Sequence, residues 1–294
     1  MNTRRLLLAI AAVGMLGASA TPVVEAASPA FGKPIDATGT ADGRAWAQEA
    51  GARWHAGGVD ASVAPLEVWQ LGPADYLVTS FNPVNLRPEV VRQPDGSLVV
   101  NAKFDVSANP GVVPKQAAPV SAASAGWSWT NQGCFSRISS AVGWIDSCFV
   151  THRLTGETDP RDFYQLEQYG TVGTQLIGKI YSGWLAADKA SGSSAMSWID
   201  WSPRGTLTGS CQTVPLSVSA LGQSISASGV MCERWNVYKY AAAGSFKEEW
   251  SCGCIVPFGQ PYPNTREVDY MQAVSVPGGG SAIWTLSAGF VAAP

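Results

Sequence analysis

The side chains best suited to hold a ligand are tryptophans that lie close to one another or to a carboxylate. Trp127 and Trp129 are separated by one residue, so in a strand both indoles project from the same face. Trp198 and Trp201 flank Asp200. A flat indole beside a carboxylate is the kind of surface on which β proteins bind sugar rings. These residues are the candidate ligand-binding site, and we expect Trp127 and Trp129 to be an exposed pair.

Each of these residues also has a purely structural interpretation. The chain contains 12 tryptophans, and indoles commonly fill the core of a β-sandwich. Asp200 lies inside a strand-like run from Met196 to Trp201, where a buried carboxylate needs a partner such as Arg204. Both interpretations stay open on the sequence alone.

Signatures of catalysis are weak. A nucleophile usually needs a histidine base, and the chain has only His55 and His152. No Gly-x-Ser-x-Gly elbow, phosphate-binding loop, dinucleotide fingerprint or EF-hand is present, so we predict no catalytic residue, cofactor or metal site. A pair of carboxylates could still hydrolyse glycans. The candidates for such a pair are Asp159, Asp162, Glu167, Asp200, Glu233, Glu248, Glu249, Glu267 and Asp269.

The strongest local pattern runs from Cys211 to Cys232. Folding this segment about Leu221-Gly222 places apolar residues on one face and hydroxyl-bearing residues on the other. The pattern predicts an antiparallel hairpin with Cys211 opposite Cys232, joined by a disulfide. The apolar pairs are Val218 with Ile225, Leu216 with Ala227 and Val214 with Gly229; the other face pairs Ser219 with Ser224, Ser217 with Ser226 and Pro215 with Ser228.

The chain has 6 cysteines, all between positions 134 and 254, which is typical of an oxidising compartment. We expect Cys134 to bond to Cys148 as well. Cys252 and Cys254 are then left over, and because a bridge between residues two apart is strained, a crossed arrangement of these two with Cys134 and Cys148 is the alternative.

The N-terminus predicts export. Arg4 and Arg5 precede an apolar run and small residues, so residues 1–27 are interpreted as a signal peptide, through either the general or the twin-arginine route. No later stretch predicts a membrane span, which makes a secreted protein the expectation. The formal net charge is −3 at pH 7 and basic residues are not clustered, which argues against nucleic acid or anionic lipid as a partner.

Composition divides the mature chain into three parts. Residues 28–106 predict a small N-terminal α+β or β unit, or a pro-segment. This part includes a predicted helix over 41–55 that is capped by Asp42. Residues 107–126 are rich in Ala, Ser and Pro and predict a linker. Residues 127–294 predict a disulfide-bonded antiparallel β-sandwich or jelly roll, favoured over a closed barrel, which stays open. Besides the hairpin, the expected strands are Trp127–Thr130, Trp144–Thr151, Phe163–Thr171, Leu176–Trp184, Ala195–Trp201, Trp235–Tyr240, Phe246–Trp250, Glu267–Val276 and Ile283–Phe290.

These features favour a secreted, noncatalytic binding protein or one associated with the cell envelope, with polysaccharide as the expected ligand. A secreted glycan hydrolase that uses two carboxylates is one alternative, and a surface protein that associates with itself through the Ser-rich strand is another. The sequence does not determine the oligomeric state.

Overall fold

The chain folds into strands and one helix over the residues that the computed structural model describes, which are 34–108, 126–174, 180–205, 212–231, 235–240, 245–251 and 266–292. In chain order the elements are β1 (Ile35–Asp36), α1 (Ala41–Ala56), β2 (Glu67–Gly72), β3 (Asp75–Thr79), β4 (Val84–Arg92), β5 (Leu98–Ser107), β6 (Trp127–Ser139), β7 (Gly143–Leu154), β8 (Arg161–Thr174), β9 (Ile180–Lys189), β10 (Ser197–Ser202), β11 (Gln212–Ala220), β12 (Gln223–Met231), β13 (Trp235–Tyr240), β14 (Ser245–Ser251), β15 (Arg266–Pro277) and β16 (Ile283–Ala292). Within these ranges, no helix has both the length and the apolar composition needed to cross a membrane.

Two antiparallel sheets form a sandwich. The larger has eight strands in the order β1-β2-β3-β6-β7-β8-β15-β10, and the smaller has six in the order β13-β14-β9-β16-β5-β4. We call the face that each sheet turns toward the other its inner face and the opposite one its outer face. The mainly β, sandwich-like fold class predicted from the sequence is confirmed, and every predicted strand run overlaps a strand.

Aromatic side chains from both sheets fill the space between the inner faces. Phe104 of the six-stranded sheet packs edge-to-face on Phe135 of the eight-stranded sheet, with ring centroids 4.6 Å apart. Phe81 contacts Phe104 at 5.1 Å and Phe149 at 5.5 Å. Such pairs add to the stabilisation that comes from burying the rings, so this cluster holds the two sheets together.

Strands from the N-terminal third of the chain belong to both sheets. β3 is hydrogen-bonded to β6, and β5 is hydrogen-bonded to β16. The residues before and after the expected linker therefore share one hydrophobic core. Removal of residues 28–106 as a pro-segment stays a prediction, and residues 109–125, most of the expected linker, lie outside the described residues.

Helix α1 covers part of the outer face of the eight-stranded sheet. It matches the helix predicted over 41–55 to within one residue, and Gly57 is its C-cap. Its N-cap is Thr40, whose hydroxyl accepts a hydrogen bond from the Gly43 amide; Asp42 lies in the first turn instead. The expectation of an Asp42 cap is corrected, because the cap must lie just outside the helix. Trp54 is buried beneath the helix, where its Nε1–H donates to the Ser136 hydroxyl at 2.9 Å.

The predicted hairpin is formed by residues 212–231. It covers another part of the same outer face. Its register places Leu216 opposite Ala227 and Val218 opposite Ile225, as predicted. Its apolar face packs on outer-face residues of the eight-stranded sheet. The buried members of this contact are Trp127, Leu154, Phe163, Leu216, Val218, Ala220, Ile225, Met271 and Ala273.

One disulfide joins neighbouring strands of the eight-stranded sheet. Cys134 of β6 is directly opposite Cys148 of β7, and the two are bonded, with their Cα atoms 4.0 Å apart. Cys211, Cys232, Cys252 and Cys254 lie outside the described residues, so the bridge expected between Cys211 and Cys232 stays a prediction.

The tip of the hairpin allows a test of backbone strain. Leu221 has φ +48° and is followed by Gly222 at φ +79°. Leucine in this left-handed region costs about 1 kcal/mol or more, whereas Asn-Gly is the preferred pair in such a turn. Leu221→Asn is expected to raise the free energy of unfolding by about 1 kcal/mol, measured by urea denaturation followed by tryptophan fluorescence.

The matched control is Leu66→Asn. Leu66 is as exposed as Leu221, at 53% for each, and its φ lies outside the left-handed region. This control should change stability by no more than about 0.5 kcal/mol. Equal changes in the two variants would contradict strain at the tip.

Candidate functional site

The tryptophans expected to form an exposed platform do not form one. Trp127 is only 2% exposed, and its Nε1–H donates to the Gln223 carbonyl of the hairpin at 3.3 Å. Trp129 is half-buried. The expectation of an exposed pair is therefore wrong, because the hairpin packs on the face from which Trp127 projects.

Asp200 has the structural environment of a satisfied buried carboxylate. Its oxygens accept from the Trp201 amide at 2.9 Å, from the Ser219 amide at 3.0 Å and from Arg204. Arg204 also lies over the Trp201 ring, 5.2 Å from its centroid. Asp200 thus ties β10 to the hairpin through Ser219, while Trp198 and Trp201 are half-buried beside it. Ligand binding by any of these residues stays a prediction.

A cavity of about 270 Å³ opens on the outer face between the end of α1 and the hairpin. The cavity exists because α1 and the hairpin, which both pack on this face, do not meet there. Its walls are residues 57–60 after α1, Gln132 of β6, Val150 of β7, Glu167 and Tyr169 of β8, Asp269 of β15 and Ser228 of the hairpin.

The register of the eight-stranded sheet brings two carboxylates into this cavity. Glu167 and Tyr169 are two residues apart on β8 and so share one face. Tyr169 is directly opposite Asp269 on β15. Glu167 and Asp269 are therefore diagonal neighbours, a relation that places two residues about 7–8 Å apart and their Cβ atoms somewhat closer.

Gly229 lets the hairpin approach this acidic pair closely. A Cβ at position 229 would lie 2.8 Å from the Asp269 Cβ and 3.0 Å from its Oδ2. Any larger residue would push the hairpin away from β15. The hairpin thus forms one wall of the cavity directly over Asp269.

Burial controls the electrostatics of the cavity. It raises the pKa of Glu167 to about 7, because a charged carboxylate is poorly solvated there. The pKa of Tyr169 is raised by burial and also by the negative charges of Glu167 and Asp269. Near neutral pH, Glu167 can therefore either hold a proton or accept a cationic partner.

A second buried carboxylate nearby has a structural role. Asp146 accepts from Arg53 Nε at 2.7 Å and Nη2 at 3.1 Å, and from the Ser136 hydroxyl. Burial raises its pKa, although Arg53 opposes the shift. Arg53 also lies 4.3 Å from the centroid of the Trp144 ring. This network anchors α1 to the sheet and commits Arg53 to Asp146.

His152, the histidine considered as a possible base, is 2% exposed. Its Nδ1 is 2.7 Å from the Gln165 side-chain oxygen, and burial lowers its pKa. It is therefore a neutral, hydrogen-bonded residue of the outer face. Within the described ranges, no group of three or more His, Cys, Asp or Glu side chains has an arrangement that could hold a metal ion.

Sequence reasoning named Glu167 and Asp269 only among many carboxylates, and it missed Tyr169. Alternation along β8 could have paired Glu167 with Tyr169. Nothing in the sequence indicates that β8 lies beside β15, about a hundred residues later, or that two covers leave a gap above them.

Comparisons with known proteins show only distant structural likenesses. No family model matches the chain, and no curated protein matches it. A solved structure named "Pore forming protein" aligns with 70% of this chain and 86% of its own, at 8% identity and a TM-score of 0.32. The delta-toxin of Clostridium perfringens aligns with 65% of this chain and 80% of its own, at 10% identity and a TM-score of 0.30. Neither likeness assigns a function to this chain.

The raised pKa of Glu167 predicts a pH-dependent stability. A carboxyl whose folded-state pKa exceeds its ordinary value of 4.5 stabilises the fold fully below that value, and the stabilisation is lost as the pH rises through about 7. Glu167→Gln should abolish this loss, which can reach about 3 kcal/mol in wild type. The measurement is urea unfolding of both proteins at pH 4.5, 6 and 8.

Glu89→Gln, on the exposed strand β4, is the control and should follow wild type at each pH. If wild type and Glu167→Gln lose stability in parallel between pH 4.5 and 8, the assignment of the raised pKa to Glu167 is wrong.

Proposed function

We propose that the protein is an exported, noncatalytic protein that associates with itself on a lipid bilayer and inserts the hairpin (residues 212–231) into it. The single observation that carries this proposal is an uncharged amphipathic hairpin held on the sandwich by its side chains. Export is supported by the signal-like residues 1–27 and by the disulfide between Cys134 and Cys148.

The composition of the hairpin supports insertion. Residues 212–231 contain no charged side chain, and the exposed face is formed by hydroxyl groups and one proline. Other exposed strand surface is charged: β4 presents Arg87 and Glu89 to solvent. Alternation of apolar and small polar residues is typical of a strand with lipid on one side and water on the other.

The attachment of the hairpin also supports its release. Among the described strands, β11 and β12 pair only with each other, so no backbone ladder ties them to either sheet. Two hydrogen bonds that involve side chains also link the hairpin to the eight-stranded sheet: one from Ser219 to Asp200 and one from Trp127 to the Gln223 carbonyl. Most of the attachment is apolar packing, which a bilayer can replace.

The length of the hairpin suits a bilayer. Each strand has 9 residues, the lower end of the range of about 9–11 for a strand that crosses the hydrocarbon core at a tilt. A single hairpin would leave backbone groups unpaired in lipid. Hairpins from several copies must therefore pair edge to edge, which makes self-association part of the function.

The tip of the hairpin is apolar where a turn usually is not. Leu221 occupies a left-handed position that favours Asn, Asp or Gly, and it is 53% exposed. An apolar tip can enter lipid ahead of the strands. Selection of leucine at this strained position is explained if the tip meets the hydrocarbon core.

A polysaccharide ligand, expected from the sequence, loses the support of an exposed Trp127 and Trp129 pair. The second candidate function remains a hydrolase that uses two carboxylates on glycans. It is supported by Glu167 and Asp269 in one cavity, with the pKa of Glu167 raised to about 7 as a general acid requires. The cavity volume of about 270 Å³ limits such a substrate to a small group.

The proposal predicts leakage of lipid vesicles. Mature protein, residues 28–294, should release a trapped dye from phosphatidylcholine vesicles and appear there as cross-linkable oligomers. Leu221→Asn should lower the rate of release about tenfold or more, because a polar tip resists entry into hydrocarbon. The same variant is expected to be more stable to urea, so lost activity could not be attributed to unfolding.

Leu66→Asn, equally exposed but outside the hairpin, should leave the rate of release unchanged. The proposal fails if wild type releases no dye, or if Leu66→Asn and Leu221→Asn have the same effect.

A second prediction concerns the hydroxyl face of the hairpin. Ser226 is exposed and its hydroxyl donates to Ser217 at 3.0 Å across the two strands. In an inserted assembly this face would line the water-filled path. Ser226→Lys should then shift ion selectivity toward anions and Ser226→Glu toward cations, measured as opposite shifts of the reversal potential in planar bilayers.

Ser140→Lys, at an exposed position outside the hairpin, is the control and should not shift the reversal potential. Conductance with the same selectivity in both Ser226 variants would place this face away from the ion path.

A further inference from the structure

Glu167 is a buried carboxyl that forms no ion pair with a described residue. It is 9% exposed and lines the cavity between α1 and the hairpin. The ion pairs formed among the described residues do not include it, and neither do their hydrogen bonds. Buried carboxyls in native proteins are nearly always paired, so an unpaired one that faces a cavity calls for a ligand.

The groups that face Glu167 are acidic or neutral. Asp60 comes from the loop after α1, Tyr169 from its own strand and Asp269 from β15. The other side chains come from β6, β7 and the hairpin, and none of them titrates: Gln132, Val150 and Ser228. No described cation contributes to the cavity wall.

The nearest candidate cation is already engaged. Arg53 lines the adjoining small pocket, where it pairs with Asp146 at 2.7 Å and with Glu49 at 2.7 Å. It also stacks on Trp144. Moving Arg53 to Glu167 would leave Asp146 buried without its cation, which is strongly unfavourable. Among the described residues, no cation is therefore available to pair with Glu167.

We propose that this cavity binds a small polyhydroxylated ligand that carries a protonated primary amine, the chemistry of an amino sugar. The ammonium group pairs with Glu167 through a charge-assisted hydrogen bond to its carboxylate. The ligand hydroxyls meet the Gln132 amide, the Ser228 hydroxyl and Asp60. The Tyr169 ring offers an aromatic surface of the kind that packs on the apolar face of a sugar.

The size of the cavity limits the ligand. A volume of about 270 Å³ is just below the range of about 300–1,000 Å³ typical of small-molecule sites. One sugar ring suits this space better than a long segment of polysaccharide. The proposed ligand site does not depend on bilayer insertion, because the cavity exists while the hairpin is packed on the sheet.

Titration calorimetry of the mature protein at pH 7 with glucosamine, N-acetylglucosamine and glucose tests the proposal. These probes share a ring and differ in the charge at one substituent. Glucosamine should bind about tenfold more tightly than either neutral sugar, because only it carries the ammonium group. Binding should also release protons to the buffer, since the ammonium group lowers the pKa of Glu167.

Glu167→Gln should bind glucosamine and the neutral sugars with about equal affinity, and its binding should release no protons. Glu89→Gln should behave as wild type. A urea melt of each variant establishes that it is folded. Equal affinity for glucosamine and N-acetylglucosamine, or an unchanged preference in Glu167→Gln, would overturn the proposal.

Ethanolamine, which carries the amine without a sugar ring, tests the second half of the proposal. It should bind at least about tenfold more weakly than glucosamine, since it cannot reach Tyr169 and the hydroxyl-binding groups together. Equal affinity for ethanolamine and glucosamine would overturn the assignment to a sugar. Absence of binding by every probe would overturn the site.

Discussion

Apolar packing on the outer face of the eight-stranded sheet is the contact on which the rest of the structure depends. Met271 and Ala273 of β15, together with Trp127 and Leu154, form a surface that water would solvate poorly. The hairpin supplies Leu216, Val218 and Ile225 to cover it, each worth about 1.5–3 kcal/mol when fully buried. Most of this contact is apolar side-chain packing, and among the described strands no ladder joins the hairpin to either sheet, so separating the two would break no sheet ladder.

The candidate cavity is a consequence of the same arrangement. Helix α1 and the hairpin cover neighbouring parts of one sheet face, and α1 is anchored separately through Arg53 and Asp146. Where the two covers fail to meet, Glu167 and Asp269 are enclosed and poorly solvated. Enclosing a carboxyl at position 167 carries a desolvation cost that an apolar residue there would not have.

Local patterns predicted local structure well. The hairpin register followed from alternation about Leu221-Gly222, since a slip of one residue would have placed serines against the sheet. The helix predicted over 41–55 agrees with α1, Ala41–Ala56, to within one residue. Exposure was predicted poorly: Trp127 was expected on the surface because it follows a linker-like stretch, but the hairpin, some ninety residues later in sequence, covers it.

By itself, the sequence determined the fold class, the approximate places of strands between Trp127 and Phe290 and the two-faced character of the hairpin, because alternation and turn residues act over a few neighbouring positions. Only the tertiary structure decided that N-terminal strands enter both sheets, that the tryptophan pair is covered, and that Glu167, Tyr169 and Asp269 share a cavity. These outcomes depend on the order of strands and on which cover packs on which face. Such choices are made by contacts between residues far apart in the chain, and no short stretch of sequence encodes them.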